Sequence, residues 1–138
     1  MAHYALLDIN NTVTTVIVGA SEDNSEDLPE DFDTWEEFYS DRHGVVVKRC
    51  SYNTFQGVHS NDGTAFRGNY PRIGDKYWED LDIFAPESPF ESWTLDSNGV
   101  WNPPTSMPLD GTPYVWNENK EEWEQDETVT EYVELPEI

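Results

Sequence analysis

The sequence predicts a mainly β protein with one short helix: an N-terminal ββαβ unit, then a long loop and three consecutive aromatic β-hairpins. Two observations carry this. The second half repeats one short pattern, an aromatic residue, a polar turn and a second aromatic, with Tyr77-Trp78 answered by Phe84, Trp93 by Trp101 and Trp116 by Trp123. Asn, Asp and Gly in such turns accept positive φ, and a cross-strand aromatic pair adds roughly 0.2 to 1 kcal/mol to the ladder. The first half instead orders two β-prone runs, an aromatic stretch of helical spacing and a third apolar run, which is the order of a small α+β unit.

Residues 2–7 and 12–18 are separated by Asp8-Ile9-Asn10-Asn11, and the second run is rich in β-branched side chains that pack well on a pleated surface, so a hairpin is expected. The acidic stretch from Gly19 to Asp31 lacks the alternating Asp/Asn spacing that places oxygens around calcium and reads as a solvated loop. Asp33 followed by Glu36 has capping-box spacing. Phe32, Trp35, Phe38 and Tyr39 recur at helical intervals before Gly44 offers a stop. A helix over 33–42 follows, with its aromatic face on the first hairpin. Val45 to Cys50 reads as a buried strand of the same sheet. Residues 53–74 are too glycine-rich and polar for a regular element, and a loop of that length in a small domain usually serves a function or an interface.

The organisation expected is therefore an α+β unit over 1–52, a basic connecting loop over 53–76, a hairpin region over 77–125 and an extended arm over 126–138. The run Thr128 to Leu135 is β-prone and has no partner strand after it. It suits pairing with a neighbouring chain, through Val129, Val133 and Leu135.

Charge is segregated. The formal net charge is −22, but residues 1–41 hold eleven carboxylates and no Lys or Arg, whereas residues 42–76 hold six of the seven Lys and Arg against Asp62 and Asp75. The remainder sets sixteen carboxylates against Lys120. Such a total disfavours direct binding of nucleic acid, because phosphate contacts need a clustered basic field. The plainer reading of such charge is a solvated surface that opposes aggregation; the sharper one is that a basic middle between acidic flanks makes a docking surface, with Arg67, Tyr70 and Arg72 the residues expected to form it. Arg brings planar donors and stacking, and Tyr brings apolar area with a polar tip.

Little in the chain points to chemistry. His3, His43 and His59 share no metal-ligand spacing, and Cys50 has no second cysteine to pair with. There is no phosphate-binding glycine loop, nucleophile elbow or dinucleotide fingerprint. No catalytic, cofactor-binding or metal-binding residue is expected, and the chain reads as a non-enzyme. It has neither a basic, apolar leader at its start nor eighteen consecutive apolar residues, so neither secretion nor membrane insertion is expected. Trp93, Trp101, Trp116 and Trp123 allow a second reading. Exposed on one face they would form a stacking platform for sugars, whereas paired within their hairpins they would be miniature cores.

Several motifs in one order carry a resemblance. Ser51-Tyr52-Asn53-Thr54, Asn69-Tyr70-Pro71-Arg72-Ile73-Gly74, Pro86-Glu87-Ser88-Pro89-Phe90-Glu91-Ser92-Trp93 and Tyr114-Val115-Trp116-Asn117-Glu118 resemble, over about residues 1 to 124, a family of short virion-associated proteins of tailed bacteriophages, cyanophages especially. Val45-Val46 stands where that family commonly has Thr-Trp, and the tail after Gln125 is longer than usual. The resemblance implies a phage-encoded, virion-associated protein; joined to the hairpin architecture, the unpaired terminal run and the segregated charge, it leads to the expectation of an accessory structural protein of the virion, made in the host cytoplasm, either a capsid decoration or cement protein or a neck or tail component. Its partners would be other virion proteins and copies of itself. The alternative is a host glycan- or receptor-binding module at the tail.

Overall fold

The computed structural model describes residues 2–128, which form mainly strands with one short helix. They gather into two compact units, one of residues 2–87 with Leu95–Trp101, the other of Ser88–Thr94 with 102–128. The units part at neither 52 nor 76. Thr54, Asn69, Pro71 and Asp75 are buried in the first unit, so the segment read as a connecting loop is part of its body.

The first unit is built on β1 (Ala2–Leu7), β2 (Val13–Gly19), the helix α1 (Trp35–His43) and β3 (Val46–Cys50), the expected ββαβ order. The sheet order is β2-β1-β3, with β1 antiparallel to both neighbours. A register shift opposite Leu6 and Leu7 pairs them with Thr15 and Val13. This places Val13 and Val16 on one face although strict alternation would separate them, since a bulge resets the two-residue period. One face packs Tyr4 and Val47 under Trp35, Phe38 and Tyr39 of α1. The other packs Ala5, Leu7, Val13 and Cys50 under Tyr77 and Phe84. Tyr4 and Phe84 are wholly buried, and each such side chain contributes on the order of 2 kcal/mol.

Helix α1 starts one residue later than the spacing of Asp33 and Glu36 suggests. Thr34 is the cap: its hydroxyl accepts from Glu37 N at 3.2 Å, and Glu37 Oε2 accepts from Asp33 N at 3.0 Å. Gly44, at φ 70°, ends the helix and donates to Ser40 O. Glu36 and Glu37 in the first turn and Arg42 and His43 in the last suit the helix dipole. Strand β3 is buried on one face only, with Val46 half exposed, so the continuous burial expected of Val45 to Cys50 is not found. Its backbone is tied on the side away from β1: Val47 N donates to Ser40 Oγ and Arg67 donates to Arg49 O, both at 2.9 Å. Covering an edge in this way removes a template for unwanted strand pairing.

The segment 53–76 does contain a regular element. Strands β4 (Thr54–Phe55) and β5 (Val58–His59) pair around Gln56-Gly57, where φ is 49° and 77°. Positive φ at both central residues is the mirror-image turn that matches strand twist. Next, β6 (Lys76–Trp78) and β7 (Ile83–Ala85) form the first aromatic hairpin with Tyr77 opposite Phe84, as the spacing predicts. It is sewn to the start of β2 by Val13 N to Asp75 O at 2.7 Å, Gly74 N to Val13 O at 2.8 Å and Tyr77 N to Asn11 O at 2.9 Å. Strands β8 (Thr94–Leu95) and β9 (Trp101–Asn102) pair where the chain passes between the units. Trp93 precedes this ladder and does not pair with Trp101, the expected partner. The strands have two residues each, and the first begins at Thr94, which leaves Trp93 outside it.

In the second unit β10 (Tyr114–Asn117) and β11 (Glu122–Gln125) form the third hairpin, with Trp116 directly opposite Trp123. Trp93 packs on both, at 5.9 and 6.0 Å between ring centroids, and Phe90 lies 5.6 Å from Trp93. This aromatic cluster is the core of the unit. The proposed arm and its residues Val129, Val133 and Leu135 lie outside the described residues. No helix among the described residues is long and apolar enough to cross a membrane.

Candidate functional site

Arg67 and Arg72 have different fates. The Arg67 side chain is 11% exposed, and its guanidinium donates to Asp82 at 2.8 Å, to Glu36 at 3.1 Å and to Arg49 O at 2.9 Å. It also lies over the rings of Phe66 and Tyr77. Its charge ties α1, β3 and the β6–β7 turn together instead of facing outward, since a guanidinium this far from water needs several acceptors to offset its desolvation. Tyr77 adds its hydroxyl to Asp82. Burial and that hydrogen bond push its phenol far above the ordinary tyrosine range. By contrast Arg72 is exposed. Its backbone N–H is held by Asp75 Oδ2 at 2.9 Å, while its guanidinium has no acid partner among the described residues.

Arg72 belongs to a cleft of about 530 Å³ in the first unit, lined by Phe55, Gln56, Asn69, Tyr70, Arg72 and Trp101. Asn69 builds its floor. Its Nδ2 donates to Phe84 O at 2.8 Å and Gly99 O at 2.9 Å, and its Oδ1 accepts from Gln56 N at 2.8 Å. One buried amide thereby fixes the β4–β5 turn, strand β7 and the Asn98-Gly99 turn around one hollow. Gly57 and Gly68 let Asn98 approach both turns closely, and a Cβ on Gly57 would fall on its side chain. Trp101 is fixed by a bond from Nε1 to Pro86 O at 2.9 Å and by edge-on contact with Trp78 at 5.3 Å. Tyr70 stands edge-on to His3 and Tyr52, and burial raises its phenol. Phe55 is 68% exposed.

The four tryptophans read as a platform divide between the two units. Trp101 belongs to the first unit, and Trp93, Trp116 and Trp123 pack into the core of the second, where Trp116 is 6% exposed. There Trp116 Nε1 donates to Glu118 Oε1 at 2.8 Å and Trp123 Nε1 to Thr105 O at 2.7 Å. Glu118 also accepts from Ser92 N at 2.9 Å and Ser92 Oγ at 2.6 Å, and these bonds hold its carboxyl below the usual range. Trp93 Nε1 is buried with no hydrogen-bond partner among the described residues.

Features that would carry catalysis are scarce. Burial pushes the Cys50 thiol up to about 12, which suppresses its reactive thiolate. Among the described residues no group of three His, Cys, Asp or Glu side chains is placed to hold a metal ion. A second, shallower depression lies in the first unit where Ile9 is 99%, Val46 50% and Val45 38% exposed, beside Leu7 and Gly44. Sequence reading singles out Tyr70, Arg72 and Trp101 but not the cleft that joins them, which draws on residues up to 46 positions apart, and Val45-Val46 reads simply as strand. The chain matches no protein-family model, no curated protein and no solved structure.

Proposed function

We propose that this protein is an accessory structural component of a tailed-phage virion, acting through protein–protein contacts and without a catalytic step. The carrying observation is the apolar depression of Ile9, Val45 and Val46. In a chain with 36% hydrophobic residues and a net charge of −22, three large apolar side chains gather on one exposed spot of the first unit. Grouped apolar surface of this kind marks contact sites, whereas scattered residues do not. The motif resemblance supplies the phage context. The covered edge of β3 supports the same reading, since it directs association toward side-chain surface.

Mass spectrometry of purified virions tests it, with the protein expected at stoichiometric copy number. Val46→Glu should then lower its occupancy in particles while the isolated chain keeps its thermal transition. Absence from intact particles would remove the reading.

A receptor- or glycan-binding module is the second reading. It draws support from the cleft beside Phe55, Tyr70 and Trp101, not from the tryptophans of the second unit.

A further inference from the structure

The cleft of the first unit joins three aromatic side chains to three polar tips left unused by the fold. Asn69 spends its amide on the framework, as described above. Among the described residues, no hydrogen-bond or ion-pair partner engages the Gln56 side-chain amide, the Tyr70 hydroxyl or the Arg72 guanidinium. Fold stability does not account for this. Salt bridges hold Arg67, Lys76 and Lys120, and Lys48 and Arg49 lie over the Tyr77 and Phe66 rings; Arg72 has neither among the described residues and, of the seven Lys and Arg, is the one that lines this aromatic hollow.

We propose that this cleft binds a carboxylate-bearing sugar residue, with the ring's C–H face against Trp101 and Phe55, the carboxylate on Arg72, and ring hydroxyls on Gln56 and Tyr70. Each part of that ligand answers a part of the cleft. Aromatic faces attract the weakly polarised C–H groups of a pyranose and leave its hydroxyls at the rim. The planar fork of an arginine matches the two oxygens of a carboxylate, which a neutral sugar lacks. The volume of about 530 Å³ lies in the range of small-ligand sites. Local charge permits an anion despite the total: residues 42–76 carry six of the seven Lys and Arg, and the one carboxylate among the residues that line the cleft, Asp75, is buried and already holds Arg72 N. The framework is also set before the ligand arrives, because the Asn69 hydrogen bonds and the tight approach of Asn98 to Gly57 fix the hollow from within.

The test titrates the isolated full chain with tri-galacturonate and, in parallel, with a neutral galactose trisaccharide, reading the indole N–H signal of Trp101 and the backbone signals of Phe55 and Gly99 by NMR. Saturable shifts confined to these residues are expected, with the acidic oligomer about tenfold tighter than the neutral one. Arg72→Ala should reduce the acidic oligomer to the level of the neutral one. Phe55→Ala, at a side chain with little packing role, should weaken both. Absence of saturable shifts with either sugar, or binding indifferent to both substitutions, would overturn the proposal. So would a Glu-rich peptide that binds with the same dependence on Arg72 when the sugars do not, which would give the cleft to a protein partner. Membership of a virion does not enter the measurement, so the two readings fail separately.

Discussion

Asn69 donates its side-chain amide to the carbonyl of Gly99 at 2.9 Å and stands where a Cβ on Gly99 would lie. The contact joins residues 30 positions apart and fixes the Asn98-Gly99 turn to the body of the first unit. Gly99→Ala should therefore be costly on two counts, the φ of 79° and the collision with a buried amide that has no room to turn. About 2 to 3 kcal/mol is expected. Gly74→Ala, also at positive φ but with nothing within 4 Å, should cost only about 1 kcal/mol. Urea unfolding of the two variants checks the difference, and equal losses would mean that the approach of Asn69 is unimportant.

The Arg67 network makes a second prediction. Arg67→Ala leaves Arg49 O and the 21%-exposed Glu36 without their donor, whereas Asp82, at 58%, recovers water. Because one acid is solvated, the loss should be about 2 kcal/mol, below the 3 to 5 of a fully buried pair. Arg67→Lys should recover only part of it, since an ammonium cannot reach three acceptors in a plane. Arg72→Ala should leave thermal stability within about 0.5 kcal/mol. Chemical denaturation of the three variants tests this contrast, and a loss at Arg72 as large as at Arg67 would sink it.

The same two arginines show what a sequence can and cannot disclose here. The basic window 42–76 is visible, but which arginine turns inward depends on Glu36 and Asp82, which lie 31 and 15 residues away. The ββαβ order, the stop at Gly44, Tyr77 opposite Phe84 and Trp116 opposite Trp123 were all legible because each rests on local spacing. Asp33-x-x-Glu36 and Thr34-x-x-Glu37 fit the capping pattern equally well, and only the geometry chooses the second. The β4–β5 hairpin escaped notice because its mirror-image turn is Gln-Gly, where Asn-Gly is the usual signal. The cleft itself was out of reach. Asn69 follows a glycine and reads locally as a turn residue, and its partners are 13, 15 and 30 positions away.

Acid should act on the second unit through Glu118. Hydrogen bonds from Ser92 and then Trp116 depress its carboxyl, so the folded state binds this proton less readily than the unfolded chain. The resulting stabilisation is present above the unfolded value of about 4.3 and is lost as pH falls through the lower folded value. Asp110, depressed by the Tyr114 hydroxyl, acts in the same direction. The fluorescence transition of the Trp93, Trp116 and Trp123 cluster should move to lower temperature as pH drops from 5 toward 3, on the order of the carboxylate titration range. Glu118→Gln should flatten that dependence. An unchanged slope in the variant would show that Glu118 carries none of it.

Two tryptophans of that cluster should respond differently to the same change. Trp116 Nε1 donates to Glu118 at 2.8 Å, whereas Trp93 Nε1 is buried with no partner among the described residues. Replacing either by Phe removes ring volume and dispersion contacts from a small core, at a cost of about 1 to 2 kcal/mol. At Trp116 the substitution also breaks a hydrogen bond to a charged carboxylate. At Trp93 it removes an unsatisfied donor whose burial costs about 1 to 3 kcal/mol, which offsets the lost volume. Trp93→Phe should therefore stay within about 1 kcal/mol of the parent, and Trp116→Phe should lose clearly more stability than Trp93→Phe. Guanidinium unfolding followed by Trp123 fluorescence measures both. Equal destabilisation would show that Trp93 Nε1 finds a partner in solution, an ordered water being the simplest candidate.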